Sequence, residues 1–166
     1  MANFDKKFKH NTFATRFVTS RQDWTTPQYL SDKLNKEFNF NYDLAASAEN
    51  TKCKKFYSKE NDGLKQNWNG VCWLNPPYGD KTSKMVDWIK ESYNQTQKNE
   101  NLTVVMLIPA RTNCKWWDNY IMKSAEVRFI IGRPKFGDSK HGLPQPLAIV
   151  VFKKSDETKF SSYYLK

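Results

Sequence analysis

Apolar and polar positions change period several times along the chain, and each change marks an element. Residues 1 to about 22 show no sustained pattern. Thr25-Thr26-Pro27 then places a hydroxyl ahead of a proline, as at the N-cap and first position of a helix. Leu30, Leu34 and Phe38, four apart, give that helix one buried face. Phe40 to Leu44 reads as a short strand, with Asp43-Leu44-Ala45-Ala46-Ser47 as the turn after it. Phe56-Tyr57 reads as a second strand, Asn61-Asp62-Gly63 as a turn and Cys72 to Leu74 as a third strand. Met85, Trp88, Ile89 and Tyr93 recur at helical spacing and predict an amphipathic helix over 83–97. Leu102 to Ile108 is a continuous Val/Leu/Ile-rich run, the signature of a strand buried on both faces of a parallel sheet. Trp116, Trp117, Tyr120 and Ile121 predict a further helix with at least one tryptophan in the core. Val127 to Ile131 reads as a strand, 132–146 as a loop and Leu147 to Phe152 as the last strand. This alternation, ending in two strands, indicates an α/β sheet with helices on its faces.

The 166 residues, 39% hydrophobic with six Trp, suit one core. The expected organisation is a basic N-terminal arm over 1–22 and a single domain over 23–166. Lys and Arg outnumber Asp and Glu by 27 to 17, for a net charge of +10, which favours a polyanionic partner, nucleic acid first. Excess lysine, as at Lys153-Lys154, also serves solubility alone. The arm interleaves Lys6, Lys7, Lys9, Arg16 and Arg21 with Phe4, Phe8, Phe13 and Phe17. Such a segment either lies along DNA or frays. Cys53, Cys72 and Cys114 form no Cys-x-x-Cys pair and have only His10 and His141 as imidazole companions, so no metal and no disulfide framework is expected. No apolar run approaches the roughly 18 residues of a membrane span. The expectation is a soluble, cytoplasmic protein with no membrane partner.

Asn75-Pro76-Pro77-Tyr78, after the apolar run Val71-Cys72-Trp73-Leu74, carries the most chemistry. A strand ending at Leu74 delivers the Asn75 side-chain oxygen to the carboxyl edge of the sheet. Pro77 restricts Pro76 to an extended conformation and leaves its carbonyl as a second acceptor. Tyr78 adds a face on which a base can stack, a contact worth roughly 1–3 kcal/mol. Two acceptors and an aromatic face suit the N6 amine of adenine, whose lone pair is delocalised into the ring. Holding its hydrogens favours a more tetrahedral, more nucleophilic nitrogen, so catalysis is by positioning and preorganised dipoles. The plain alternative is a rigid turn between a strand and a helix.

Several segments together resemble the phage-type DNA N6-adenine methyltransferases, Dam-related enzymes that use S-adenosylmethionine. They are Trp24-Thr25-Thr26-Pro27, Asp43-Leu44-Ala45-Ala46-Ser47, Asp62-Gly63-Leu64, the Asn75 segment, Pro109-Ala110-Arg111-Thr112 and Gly132-Arg133-Pro134-Lys135-Phe136. The resemblance implies a class I, Rossmann-like fold, with a mostly parallel central sheet flanked by helices and an antiparallel last strand. It implies S-adenosylmethionine as methyl donor, no metal, and a phage or prophage enzyme working in a bacterial cytoplasm. Asn75, Pro76 and Tyr78 resemble the family's catalytic residues. Thr25, Thr26, Pro27, Asp43, Ala45, Ser47, Asp62 and Asn75 resemble its donor-binding residues, with Asp43 near the donor's amino acid portion and Asp62 accepting from its adenine amine. The bland counterparts are a helix cap at Thr25 and Thr26, an Asx-turn at Asp43 and an ordinary Asn-Asp-Gly turn at Asp62. The chain departs from the family in lacking a glycine-rich loop after the first strand and an acid after the second; Glu49 and Asn50 are unranked candidates to compensate.

A paired adenine hides N6, so the base must be flipped or single-stranded. Arg111, Lys115 and Trp116, beyond the central strand, and Arg133, Lys135 and Lys140, in the 132–146 loop, are the candidate DNA contacts, with His141 beside them. The Asn75 segment alone also fits methylation of RNA adenine or of a protein glutamine amide. A non-catalytic nucleic-acid-binding protein of the same fold is a third reading. The oligomeric state is open, a dimer included.

Overall fold

The structure, a computed structural model, describes residues 25–78, 85–137 and 142–165. The arm over 1–22, the expected domain start near Trp24, residues 83 and 84 of the expected 83–97 helix, Lys140 and His141 lie outside the described residues.

The elements run α1 (Gln28–Phe38), β1 (Tyr42–Asp43), β2 (Lys55–Phe56), β3 (Val71–Leu74), α2 (Met85–Lys98), β4 (Thr103–Pro109), α3 (Lys115–Tyr120), β5 (Glu126–Ile131), β6 (Leu147–Phe152) and β7 (Lys159–Tyr164), with short 3₁₀ turns at Gly63–Lys65 and Ile121–Lys123. The strands form one sheet in the order β2-β1-β3-β4-β6-β5-β7. β6 runs antiparallel to β4 and β5, and the other pairings are parallel. This is the helix-flanked α/β sheet that the pattern implied, mostly parallel as the resemblance implied, with Leu147–Phe152 as the antiparallel strand.

One element is a correction. The chain ends in three strands, not two, because Lys159–Tyr164 pairs parallel with β5 at the sheet edge. Only Tyr163 of that strand is buried, so it carries no apolar run to announce it.

Burial on both faces explains the continuous apolar runs. Leu102, Val104, Met106 and Ile108 meet Ala148, Val150 and Phe152 on one face, under Met85, Trp88 and Ile89 of α2 and Trp117 of α3. Val105 and Leu107 meet Ile149 and Val151 on the other, under Leu30 and Leu34 of α1. Trp117 is the core tryptophan of the adjacent pair and Trp116 stays half-buried. On the outer side, Arg128 of β5 pairs with Glu37 of α1 at 2.6 Å and Glu126 at 2.7 Å, tying α1 to the sheet.

Candidate active site

Sequence chemistry ends β3 where the site begins. Pro76 and Pro77 have no N–H to continue the ladder, so the last β3–β4 register pair is Leu74↔Met106. Asp43 closes the neighbouring parallel strand, opposite Trp73. From β1 the sheet extends to β2 on one side and β3 on the other, a topological switch point, where the carboxyl ends of strands leave a crevice. The crevice is a cavity of about 710 Å³, within the usual range for small-molecule sites.

Of the residues singled out from sequence, Thr25, Thr26, Asp43, Ala45, Ser47, Asp62, Asn75, Pro76 and Tyr78 all line this cavity. Pro27 does not line it. The helix start also differs from expectation. Pro27 itself is the N-cap of α1, and its carbonyl accepts from the Leu30 and Ser31 N–H groups at 3.0 and 3.2 Å. Thr26 makes no cap bond. Thr26 lines the cavity, and its hydroxyl is buried without a hydrogen-bond partner among the described residues. An orphaned buried hydroxyl costs about 1–3 kcal/mol, so its retention beside a cavity suits a polar ligand.

Asp43 is held at the cavity floor. Its carboxylate accepts from the Lys52 N–H at 2.9 Å and, weakly, from the Ala45 N–H at 3.4 Å. Burial outweighs these contacts and the Lys52 charge, pushing the carboxyl up to about 6. The residue is thus both a turn acceptor and a destabilised acid facing the cavity. After it, Leu44 N–H donates to Trp73 and Ala46 N–H to Tyr57, which folds the Ala-Ala-Ser segment across the strand ends. The Asn50 side-chain oxygen accepts the Ser47 N–H at 2.7 Å, so it is committed to the turn. Glu49 lines the cavity from an exposed position, with a Ser47 hydrogen bond holding its carboxyl below the usual range.

Asp62 adopts left-handed backbone geometry at φ 48° and pairs with Lys65 at 3.0 Å. A Cβ on Gly63 would lie 2.3 Å from the Leu44 carbonyl oxygen, so only glycine lets this turn press against the end of β1. The Trp68 indole N–H donates to the Gly63 carbonyl at 2.8 Å and secures that wall.

Tyr78 has two attachments. Its hydroxyl lies 2.9 Å from Asn75 Oδ1 and 3.0 Å from the Leu107 carbonyl oxygen, two acceptors that share its single hydrogen. Burial raises the phenol well above its ordinary range, so it stays protonated. Its half-buried ring lines the cavity.

Sequence reasoning missed Tyr57, Ser58 and Lys59, which follow β2 into the cavity, and the walls formed by Trp73 and Trp88. Tyr57 and Ser58 occupy a strand's carboxyl end, a position that could have flagged them. Trp73 and Trp88 read only as core. Burial pushes the Cys53 and Cys72 thiols up to about 12, so both are protonated and unreactive at neutral pH.

The candidate DNA contacts stand apart from the cavity lining. Arg111 and Lys115 are exposed just past β4, and Trp116 leans on Trp117 at 5.7 Å. Arg133 and Lys135 are exposed, alternating with buried Pro134 and Phe136. This loop is pinned beside the site, since Gly137 N–H donates to the Thr25 carbonyl and Ala110 N–H to that of Pro146. Among the described residues, no cluster of three or more His, Cys, Asp or Glu is placed to hold a metal, and no helix is long and apolar enough to cross a membrane.

A family model described as DNA N-6-adenine-methyltransferase (Dam) matches residues 9–161, a span that starts within the basic arm. A DNA N-6-adenine-methyltransferase of Escherichia phage T1 is 35% identical over 116 residues, 66% of this chain and 45% of that protein. One of Haemophilus phage HP1 is 32% identical over 122 residues, 70% of this chain and 68% of that protein. The match therefore spans less than half the length of the T1 relative. A solved structure of the Type IIL restriction-modification enzyme MmeI in complex with DNA covers 81% of this chain and 22% of its own, at 14% identity and a TM-score of 0.44. A likeness that loose carries no weight for fold or function.

Proposed function

The chain belongs to the DNA N-6-adenine-methyltransferase (Dam) family, and on that footing we propose that it methylates the N6 amine of adenine in DNA, with S-adenosylmethionine as donor. The observation that carries the reading is the meeting of Asn75, Pro76 and Tyr78 with Asp43 and Thr26 around one cavity at the switch point. When bound, the donor supplies an electrophilic methyl group on a sulfonium. The rest falls to the chain. Asp43 accepts from the donor's ammonium, Thr26 gains the partner it lacks, and Asp62 and Glu49 take the adenosine end. Asn75 Oδ1 and the Pro76 carbonyl hold the hydrogens of the target amine, and the Tyr78 ring stacks on the flipped base. No strong base is needed early, because positive charge grows on nitrogen only as the new bond forms.

Methyl incorporation from labelled donor into DNA, RNA and protein, measured in parallel, tests the acceptor. Label in DNA is the expected result. Label confined to RNA or protein would move the same site to adenine in RNA or to a glutamine amide.

The donor assignment has its own test. Thr26→Val removes the orphaned hydroxyl and is expected to raise the stability of the ligand-free protein by about 1 kcal/mol. The same change should shrink the rise in melting temperature that donor brings. An unchanged donor-induced rise would take Thr26 out of the donor site.

The exposed Arg133, pinned beside the cavity, is proposed to read a groove, since Arg is the commonest reader of guanine edges. Arg133→Ala should weaken DNA binding by an amount that varies with sequence. Lys6→Ala and Lys9→Ala should weaken all sequences alike and lower the salt slope. Equal losses on every sequence from both sets would remove the loop from recognition.

A further inference from the structure

We propose that the Tyr78 hydroxyl is a positioning group for the Asn75 acceptor, tying its amide to the central strand at Leu107. The proposal rests on the methyl-transfer reading and gives Tyr78 a role that a stacking ring alone lacks.

The tether follows from the way β3 ends. Leu107 lies one position past the last β3–β4 register pair, where the facing chain has become Asn75-Pro76-Pro77. Two consecutive residues without an N–H leave the β3 side of β4 short of backbone donors there. The Tyr78 hydroxyl reaches the Leu107 carbonyl at 3.0 Å and fills that place. It also reaches Asn75 Oδ1 at 2.9 Å. One hydroxyl, its single hydrogen shared between the two oxygens, thus joins the acceptor side chain to β4, whose residues from Val104 to Pro109 are buried.

That link matters because an asparagine side chain turns about two single bonds, and its terminal torsion is broad. An acceptor meant to hold an amine in line with a methyl group loses much of its effect when misplaced by a fraction of an ångström. The amide oxygen has two lone pairs, so accepting from Tyr78 does not by itself exhaust its capacity to accept. The ring face that stacks on the base and the hydroxyl that holds Asn75 are different parts of one side chain. Both roles therefore coexist.

Tyr78→Phe separates them, keeping the ring and removing the hydroxyl. With unmethylated DNA and assayed well below its own melting midpoint, the variant should lose kcat by about 10- to 100-fold. Its donor Kd and the fluorescence rise of 2-aminopurine at the target base, which reports flipping, should stay at wild-type values. A wild-type kcat in the variant would overturn the proposal. A readout independent of turnover is the NMR signal pair of the Asn75 side-chain amide, assigned by its loss in Asn75→Ala. The pair should shift and broaden in Tyr78→Phe as the contact with the hydroxyl is lost. An unchanged pair would overturn the tether whatever the activity. Wild-type protein that methylates no DNA while the amide pair responds would overturn the proposed function and leave the tether standing.

Discussion

Asn75→Ala is expected to lower kcat on DNA by about 10²–10³-fold, the usual cost of removing one preorganised polar contact from a transition state. The donor Kd should stay close to the wild-type value, because the variant leaves the proposed donor contacts at Thr25, Thr26 and the segment after β1 in place. The amine of adenine binds Asn75 only weakly before reaction, but its hydrogens become much stronger donors as the nitrogen turns cationic. Loss of the acceptor is therefore felt in kcat more than in KM. Quenched-flow turnover and calorimetric titration of the donor measure the two quantities separately. Unchanged turnover in this variant would end the assignment of Asn75 as an acceptor.

Asp43→Asn should move stability and donor binding in opposite directions. The native carboxyl is raised to about 6 from an ordinary 3.8, chiefly by burial. A raised acid binds its proton more tightly in the folded state, so its favourable contribution is full below the unfolded value and is lost as pH rises through about 6. At pH 7 the buried carboxylate costs about 3 kcal/mol, since each tenfold weakening of the acid on folding is worth roughly 1.36 kcal/mol. Asparagine keeps an oxygen for the Lys52 N–H without the buried charge. The melting temperature of the ligand-free variant at pH 7 should rise by about 2–4 °C for each kcal/mol recovered. Donor affinity should fall about tenfold or more, as a charge-assisted contact is lost. Wild-type donor affinity should weaken likewise as pH drops below about 6. Melting curves with and without donor from pH 5 to 8 carry both readouts. A variant that gains no stability, or binds donor as tightly as wild type, would make Asp43 a turn residue only.

What the sequence made legible was governed by strong local physics. Leu102 to Ile108 reads as a doubly buried strand because both of its faces pack. Asn75-Pro76-Pro77-Tyr78 reads as a strand-end acceptor group because prolines must stop a ladder. What stayed hidden was decided by distant parts of the chain. β1 is only Tyr42–Asp43. At Asn41 the backbone N–H donates to the Val71 carbonyl while the side-chain oxygen accepts the Val71 N–H, and regular register begins only at Tyr42↔Cys72. β7 is an exposed edge strand and depends on β5 for its pairing. Thr26 has the chemistry of a helix cap, yet its buried hydroxyl makes no cap bond and Pro27 caps the helix, a local preference overridden beside the site. The contact of the Tyr78 hydroxyl with β4 required knowing that Leu107 lies beside it, 29 residues along the chain.

The most direct measurement is incubation of the purified chain with methyl-labelled S-adenosylmethionine and unmethylated DNA, followed by digestion to nucleosides and mass identification, with Asn75→Ala in parallel. Label in N6-methyl-2′-deoxyadenosine is expected from the wild-type protein, with a loss of about 10²-fold or more in the variant. Label on cytosine, or none in DNA from protein that binds the donor, would contradict adenine N6 methylation at this site.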